Sequence, residues 1–347
     1  MPGYFFVAYM LSLFKNHFNH LNKLITSTVI MKDKIKIGVS SCLLGEEVRW
    51  NGGHKQDRYV QGILDKYFHY VPTCPEVDVG MGIPRETVAL YGTLENPKMI
   101  SKKSQTDWTK KMNDYMKDRI SELGKSSLCG YIFKSKSPSC GIGRVPVYSE
   151  FGSNKVRHGP GMFANSFIKA LPLIPVEDEG RLHDPVIREN FIVRVFCFNR
   201  LQTLLRESFS MGKLVSFHTK HKFLILSHSK KQYDAMGKLV ATGKSLNRTE
   251  LKASYCSLFM EALTYKSTPK KNTDVLLHMM GFLKKVLTRE EKEDILSTIE
   301  DYRIGLLPLI VPVTLIRHQV KKYHIEYLLD QVYLNPHPKE LMLRNHV

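Results

Sequence analysis

The sequence lacks three features that would place it in common protein classes. No run of 18 or more apolar residues occurs, so no membrane-spanning helix is predicted. Only 6 cysteines are spread irregularly over 347 residues, which excludes the disulfide framework of small secreted domains. There is no internal repeat and no low-complexity segment, and a hydrophobic content of 43% is that of an ordinary folded protein.

Acidic residues are too few to balance the basic ones. Lys and Arg number 51 against 33 Asp and Glu, which gives a formal net charge of +18 at pH 7. An excess of this size attracts nucleic acid, anionic lipid or acidic ligands. A solvated basic surface that keeps the protein soluble has the same composition, so charge alone leaves both interpretations open.

Residues 1–30 are expected to be an upstream extension with no part in the fold. Their segment "MPGYFFVAYMLSLFKNHF" has a short apolar run without a basic stretch before it or a small-residue cleavage site after it, so a signal peptide is not predicted. The segment "MKDKIKIGVSS" begins again at Met31 like a start of translation. We therefore expect a cytoplasmic, reducing compartment and no membrane contact.

Residues 31–185 are predicted to form an α/β domain. The short apolar runs "IKIGVSSC", "FHYVPTC" and "LCGYIFK" predict buried strands. Helical patterns alternate with them in "DRYVQGILDKYF" and in "TDWTKKMNDYMKDRISELG", the second capped by Thr106 and ending near Gly124. Strands that alternate with helices indicate a parallel, doubly wound, Rossmann-like sheet.

A linker or connecting helix is predicted at 186–211, followed by a second, all-α domain at 212–347. After about Glu177 the strand signals fade, and long amphipathic segments such as "DVLLHMMGFLKKVLTREEKEDILSTIEDYR" replace them. The last helix is predicted from about Val313 to Val332. The fold class is therefore α/β plus all-α.

Three cysteines follow the three predicted strands: Cys42, Cys74 and Cys140. Ligands of a doubly wound sheet bind outside the carboxyl ends of its strands, so the thiols converge if these strands are neighbours. Zinc sites usually show a local C-x-x-C pair and four ligands, and neither is present. A cluster on three thiolates would leave one iron open as a Lewis acid. A small buried hydrophobe is the alternative for each cysteine, and we prefer it for the other three.

Three segments carry a resemblance to a known family. "GVSSCLLGEEVRWNGGHK", "VPTCPEVDVGMGIPRET" and "SKSPSCGIGRV" resemble the signature blocks of the thiouracil desulfidase (TudS) family. "LVSFHTKHKFLILSHSKKQY" and "LIVPVTLIRHQVKKY" resemble the YbgA-like helical domain, which occurs alone or fused behind such a desulfidase. The fused arrangement is similar to that of RudS-type proteins, which remove sulfur from 4-thiouridine in tRNA. The resemblance covers nearly everything from Met31 onward.

The resemblance implies a desulfidase that acts on thiolated tRNA. It implies a 4Fe-4S cluster on Cys42, Cys74 and Cys140, whose fourth iron takes the sulfur of the substrate without net redox change. Water then attacks the ring carbon, leaving a carbonyl and releasing sulfide. Two alternatives stay open: a desulfidase of free thiouracil or another thiopyrimidine, and a non-catalytic, cluster-containing RNA-binding module. No C-x-x-x-C-x-x-C triplet occurs, so the radical-SAM signature is absent.

Such a reaction needs a base near the water and a proton donor near the departing sulfur or ring nitrogen. Glu76, two residues after Cys74, is the candidate base, with a helix-start or surface carboxylate as the alternative. Ser135 is the candidate proton relay among the serines of "SKSPSC". Ser139 is expected to contact the substrate or a sulfur of the cluster.

Substrate contacts are predicted in two loops. Asn51 and His54 in "WNGGHK" are candidates for a base edge or a phosphate, with a hairpin-type turn as the alternative. Arg85 in "GIPRET" is a candidate for a substrate oxyanion or phosphate, with an ion pair to Glu76 or Glu86 as the alternative.

Basic residues interleave with aromatic ones in one segment of the helical domain, which suits phosphate contacts and base stacking on tRNA. The aromatic residues include Phe217 and Phe223, which are core residues in the alternative interpretation. The predicted RNA-binding residues are Lys213, His218, Lys220, His221, Lys222, Lys230 and Lys231.

Overall fold

The computed structural model describes residues 34–149 and 156–346. The predicted extension at 1–30 lies outside the described residues. The chain from Ile35 onward forms one compact unit, in which an α/β part precedes a helical part. The predicted fold class is confirmed, and the division into domains at 31–185, 186–211 and 212–347 stays a prediction.

In the described part of the chain, eight strands form two four-stranded sheets. They are β1 (Ile35–Ser40), β2 (Phe68–Thr73), β3 (Val88–Gly92), β4 (Pro97–Ser101), β5 (Tyr131–Phe133), β6 (Val145–Tyr148), β7 (Val156–Gly159) and β8 (Val176–Asp178). The first sheet is parallel throughout and has the order β2-β1-β5-β8. The three strands predicted from apolar runs are therefore β1, β2 and β5, and they are direct neighbours.

The second sheet is mixed and was not predicted. Its order is β4-β3-β6-β7, with β3 parallel to β6 and the two outer pairs antiparallel. Its strands have four or five residues, and β3 pairs with β6 far along the chain. Short strands whose partners are distant give little local signal.

Three helices accompany the sheets: α1 (Pro75–Asp78), α2 (Thr109–Lys125) and α3 (Met162–Ala170). The predicted cap of α2 is wrong, because the side chain of Asp107 and not that of Thr106 accepts the Thr109 N–H, at 2.8 Å. The predicted helix in "DRYVQGILDKYF" is reduced to two short turns, Tyr59–Ile63 and Leu64–Lys66.

The rest of the chain is helical: α4 (Pro185–Arg206), α5 (Met211–His228), α6 (Lys230–Thr242), α7 (Arg248–Thr264), α8 (Pro269–Leu283), α9 (Arg289–Arg303), α10 (Ile310–Lys322) and α11 (Glu326–Leu329). Ser229 has an extended backbone that separates α5 from α6, and its side chain accepts the Gln232 N–H. The last predicted helix is in fact α10 followed by the short α11. No helix in residues 34–149 and 156–346 is long and apolar enough to cross a bilayer.

Helix α4 packs against the parallel sheet. The rings of Phe196 and Phe68 lie 6.0 Å apart, and Gln202 Nε2 donates to the Leu128 carbonyl at 2.9 Å. A side chain at Gly130 would approach Val195 to 2.8 Å, so glycine permits the close approach of helix and strand. This contact covers one face of the sheet and leaves the carboxyl ends of its strands open.

Candidate active site

Three cysteines lie where three adjacent parallel strands end. Cys42 occupies a 3₁₀ turn directly after β1, Cys74 follows β2, and Cys140 lies in the loop after β5. That loop is tightened by Ser137, whose Oγ accepts the Cys140 N–H at 3.1 Å. Parallel strands bring their carboxyl ends to one edge of the sheet, and this edge gathers the three thiols as predicted.

The three thiols line one cavity of about 500 Å³. The cavity lies between the end of the parallel sheet and the second sheet, because Val88 and Ala89 of β3 and Val145 of β6 also line it. All six cysteines of the chain are free. In the described residues, no group of three or more His, Cys, Asp or Glu side chains is arranged to hold a single metal ion.

Burial and mutual repulsion disfavour the thiolate form of these cysteines. Burial raises the pKa of Cys42 to about 11, and the nearby Cys74 adds to this effect. Burial also raises the pKa of Cys140 well above its ordinary value, with further increases from Glu76 and the other two thiols. A positively charged group bound among the three would stabilise the thiolates.

Glu76 is the carboxylate of the cavity, and four donated hydrogen bonds fix its position. Its Oε2 accepts from Arg85 Nη2 at 2.7 Å and Nε at 3.1 Å. Its Oε1 accepts from Ser139 Oγ at 2.9 Å and from Ser137 Oγ at 3.3 Å. Arg85 also donates to the Val48 carbonyl at 3.0 Å, and its side chain is only 5% exposed. Such bonds fix the orientation of the carboxylate.

A second charged network lies at the cavity wall. Lys134, directly after β5, forms an ion pair with Glu179, directly after β8. Ser135 Oγ donates to Glu179 Oε1 at 2.8 Å and lies 3.0 Å from Lys134 Nζ. Burial raises the pKa of Glu179, but the bonds from Lys134 and Ser135 outweigh it and leave the pKa lowered. Ser135 therefore joins an ammonium group and a carboxylate at the cavity wall.

The mouth of the cavity is basic. Four cationic side chains line it without an ion pair to any described residue: Arg49, Lys55, Lys102 and Lys136. Trp50 lines the same mouth and is 46% exposed. Unpaired cations beside an exposed indole suit an anionic ligand that carries a flat ring.

Comparison with known proteins assigns the α/β part. Residues 37–179 match the family model "2-thiouracil desulfurase". The uncharacterized protein YbbK of Bacillus subtilis (strain 168) is 30% identical over 131 residues, which are 36% of this chain and 85% of that protein. The chain belongs to the 2-thiouracil desulfurase family.

The helical part of this family member has its own match. Residues 222–338 fit the model "Protein of unknown function (DUF1722)". The uncharacterized protein YbgA of Escherichia coli (strain K12) is 26% identical over 158 residues, covering 45% of this chain and 94% of YbgA. The predicted resemblance of the two parts to a desulfidase and a YbgA-like domain is confirmed.

Among solved structures, a 4Fe-4S-dependent thiouracil desulfidase, TudS, is 25% identical to the chain. The match covers 44% of this chain and 95% of that one, with a TM-score of 0.35.

The structure places the predicted substrate-binding residues Arg85, Asn51 and His54 of this desulfurase-family chain in different environments. Arg85 forms an ion pair with Glu76, which is the alternative interpretation of this residue. Asn51 and His54 are exposed and lie outside the cavity lining. Their side chains accept local N–H groups, from Gly53 at 3.3 Å and from Gln56 at 3.2 Å. The structure thus gives them contacts within a turn.

The predicted RNA-binding segment divides between core and surface. His221 is 3% exposed and Phe223 is fully buried, so these two are core residues of the helical part. Burial lowers the pKa of the partly buried His218. Lys213, Lys220 and Lys230 form ion pairs with Glu207, Asp330 and Asp234 respectively, whereas Lys231 is exposed and Lys222 lies over an aromatic ring.

Sequence reasoning missed several lining residues. Lys134 has a local signal, because a charged residue that directly follows a buried apolar strand lies at the ligand-binding edge. Glu179 has none, since β8 comprises three residues that include two acidic ones. The four cations of the mouth come from distant loops, and only the folded chain shows that they share one opening.

Proposed function

We propose that this chain removes sulfur from a thiolated pyrimidine, with water supplying the oxygen that replaces it. The C=S bond becomes C=O, and the sulfur leaves as sulfide with the two hydrogens of water. The observation that carries the proposal is the cavity in which three cysteines from adjacent strand ends meet the oriented carboxylate of Glu76. Membership of the 2-thiouracil desulfurase family supports it.

The donor set fits an iron–sulfur cluster. Three cysteines line one cavity of about 500 Å³, and thiolates are the usual ligands of such clusters. Cys42, Cys74 and Cys140 would hold a 4Fe-4S cluster. When bound, it supplies a Lewis acid that binds the thiocarbonyl sulfur. Free thiols at all six cysteines suit the reducing, cytoplasmic compartment that we propose.

Glu76 has the position of a general base. Arg85 holds one of its oxygens, and Ser139 and Ser137 donate to the other. This arrangement holds the carboxylate at the cavity, where it would accept a proton from the attacking water. The hydroxyl of Ser139 therefore serves to position the carboxylate of Glu76.

Ser135 has the position of a proton relay. Its hydroxyl lines the cavity and lies 3.0 Å from Lys134 Nζ. The ammonium group of Lys134 can replace a proton that Ser135 gives to the departing sulfur or to the ring nitrogen, and Glu179 holds both residues in place.

We propose 4-thiouridine in tRNA as the substrate. The unpaired cations of the mouth suit the phosphates on either side of a nucleotide, and the net charge of +18 suits a polyanion. A free thiopyrimidine, the second candidate, would fit the cavity but would leave Arg49, Lys55, Lys102 and Lys136 without an anionic partner.

The experiment is a desulfuration assay with anaerobically reconstituted protein on two substrates, thiolated tRNA and free thiouracil. The proposal predicts a much higher kcat/KM for tRNA, with sulfide released and no added reductant consumed. A preference for the free base would favour the second candidate. Tight tRNA binding without sulfide release from either substrate would indicate a non-catalytic RNA-binding module and overturn the proposal.

A further inference from the structure

Three aromatic rings lie together at the surface of the helical part. The ring of Phe282 lies 5.0 Å from that of Tyr327 at an angle of 22°, and 6.0 Å from the imidazole of His278 at 10°. Phe282 is 40% exposed, His278 is also exposed, and Tyr327 is half-buried. Single exposed apolar residues are common, but three nearly parallel rings at one surface are not. We call His278, Phe282 and Tyr327 the ring stack.

The ring stack rests on the core of the helical part. Phe223 is fully buried and presents its ring at steep angles to the three others. Its centroid lies 5.2 Å from that of His278, 6.1 Å from that of Phe282 and 6.4 Å from that of Tyr327. Because the core fixes the rings, a ligand that stacks on them meets a preformed surface.

Two cationic side chains are found near the ring stack. Lys222 Nζ lies 4.9 Å from the centroid of the Tyr327 ring. Lys285 is exposed in the turn after α8 and forms no ion pair with any described residue. Three acidic residues are also near in sequence: Asp330, which is paired with Lys220, Asp274, one turn before His278, and the exposed Glu326, next to Tyr327. The helical part as a whole has more basic than acidic residues, which favours an anionic partner.

We propose that the ring stack is a platform for an unpaired nucleobase of the RNA substrate, with Lys222 and Lys285 beside the adjoining phosphates. Aromatic faces accept any base, and nearby cations hold the backbone that carries it. The inference rests on the proposed function only in taking RNA as the partner. The aromatic contact with RNA was predicted for Phe217 and Phe223 on α5, which are buried. The proposal assigns this contact to the rings on α8 and α11.

The test measures binding of unmodified tRNA to the full chain by fluorescence anisotropy, so that no turnover is needed. Phe282→Leu keeps an apolar side chain but removes the aromatic face, and we expect about tenfold weaker binding, which corresponds to about 1.4 kcal/mol. Phe282→Trp should bind at least as tightly as the unchanged chain. The matched control is Leu277→Ala on the same helix, which removes another exposed apolar side chain (46% exposed) and should leave affinity unchanged.

Two results would overturn the inference: equal affinity of Phe282→Leu and the unchanged chain, or an equal loss with Leu277→Ala. Thermal midpoints of all variants check that the fold is kept. Turnover of free thiouracil should not change in any variant. If thiolated tRNA is not desulfurated but Phe282→Leu still weakens tRNA binding, the platform stands and the proposed reaction fails. If desulfuration of tRNA occurs and binding ignores Phe282, the platform alone is refuted.

Discussion

Cysteines of the α/β part and of the helical part share burial but differ in position. Burial raises the pKa of Cys42 to about 11, and it does the same for Cys197 and Cys256 on helices α4 and α7. Cys42 lies at a strand end beside two further thiols, whereas Cys197 and Cys256 do not line the cavity. A raised thiol pKa is therefore common in this chain. The candidate site is distinguished by three thiols that meet at one edge of the sheet.

Buried ion pairs show the same contrast. Glu76–Arg85 and Lys134–Glu179 both border the cavity of the α/β part. In the helical part, Arg344 pairs with Glu189 at 3.0 Å and donates to the Tyr333 carbonyl, which ties the end of the chain to α4. Pairs of the first kind fix side chains at the cavity, and a pair of the second kind joins segments of the fold.

The largest expected effect separates the two classes of cysteine. Cys140→Ser should lower desulfuration by about 10³-fold or more and reduce the iron content, because a ligand of the Lewis acid is lost. Cys256→Ser, in the helical part, should keep both iron content and activity. Iron analysis and sulfide release measure the two variants. Equal loss of iron in both, or full activity of Cys140→Ser, would remove the distinction.

The next effect tests the oriented carboxylate. Glu76→Gln should lower kcat by about 10²- to 10⁴-fold, the usual contribution of a general base, while iron content stays near that of the unchanged protein. The control Glu47→Gln alters an exposed carboxylate outside the cavity lining and should be neutral. A Glu76→Gln protein with normal kcat would show that its carboxylate serves only to pair with Arg85.

A smaller effect compares unpaired with paired lysines. If the four mouth cations contact phosphates, tRNA affinity should fall roughly 50-fold between 50 and 200 mM salt. The double variant Lys55→Ala/Lys136→Ala should reduce the slope of log Kd against log salt by about 1.5. Lys213→Ala/Lys230→Ala, which removes two ion-paired lysines of the helical part, should change it less. An equal change of slope in both double variants would mean that the lysines of the mouth contact phosphates no more than the ion-paired lysines do.

The smallest effect concerns acid stability of the helical part. Burial lowers the pKa of His221 to about 3 and that of His228 and His337 to about 4, whereas an unfolded histidine has a pKa near 6.5. Below pH 6.5 the unfolded state therefore binds protons that the fold does not. The free energy of unfolding should fall by up to about 1.4 kcal/mol per pH unit for each histidine, down to about pH 4.

Hydrogen exchange at pH 7 and pH 5 can localise this loss. Peptides of α5 should lose protection after correction for intrinsic rates, and peptides of the parallel sheet should not, since the described histidines of the α/β part are exposed. Uniform loss over both parts would contradict the assignment.

The sequence predicts the cysteine edge better than the rest of the site. β1, β2 and β5 are apolar runs, each followed by a cysteine within seven residues, so topology and chemistry are visible together. Glu76 is close to Cys74 along the chain, but its partners Ser137 and Ser139 arrive from another loop. No periodicity indicates such a contact.

In the helical part, periodicity predicts helices but not which face is buried. The pattern around His221 and Phe223 fits either a solvent-exposed or a buried helix face. The packing of α5 against its neighbours buries both residues. The helical pattern of the sequence continues through Ser229, but the helix α5 ends there. Ser229 has an extended backbone, and its side chain caps the start of α6. Exposed rings such as Phe282 become a surface feature only when two helices bring them together.

The most direct test of the account is Mössbauer spectroscopy of anaerobic protein reconstituted with ⁵⁷Fe, before and after addition of a thiouracil. Three thiolate ligands around one cluster predict about four irons and about four sulfides per chain, with roughly one iron in four changing its spectrum when the substrate binds. A colourless protein without iron, or a cluster whose irons all ignore the substrate, would contradict the claim that Cys42, Cys74 and Cys140 hold a cluster with an open position.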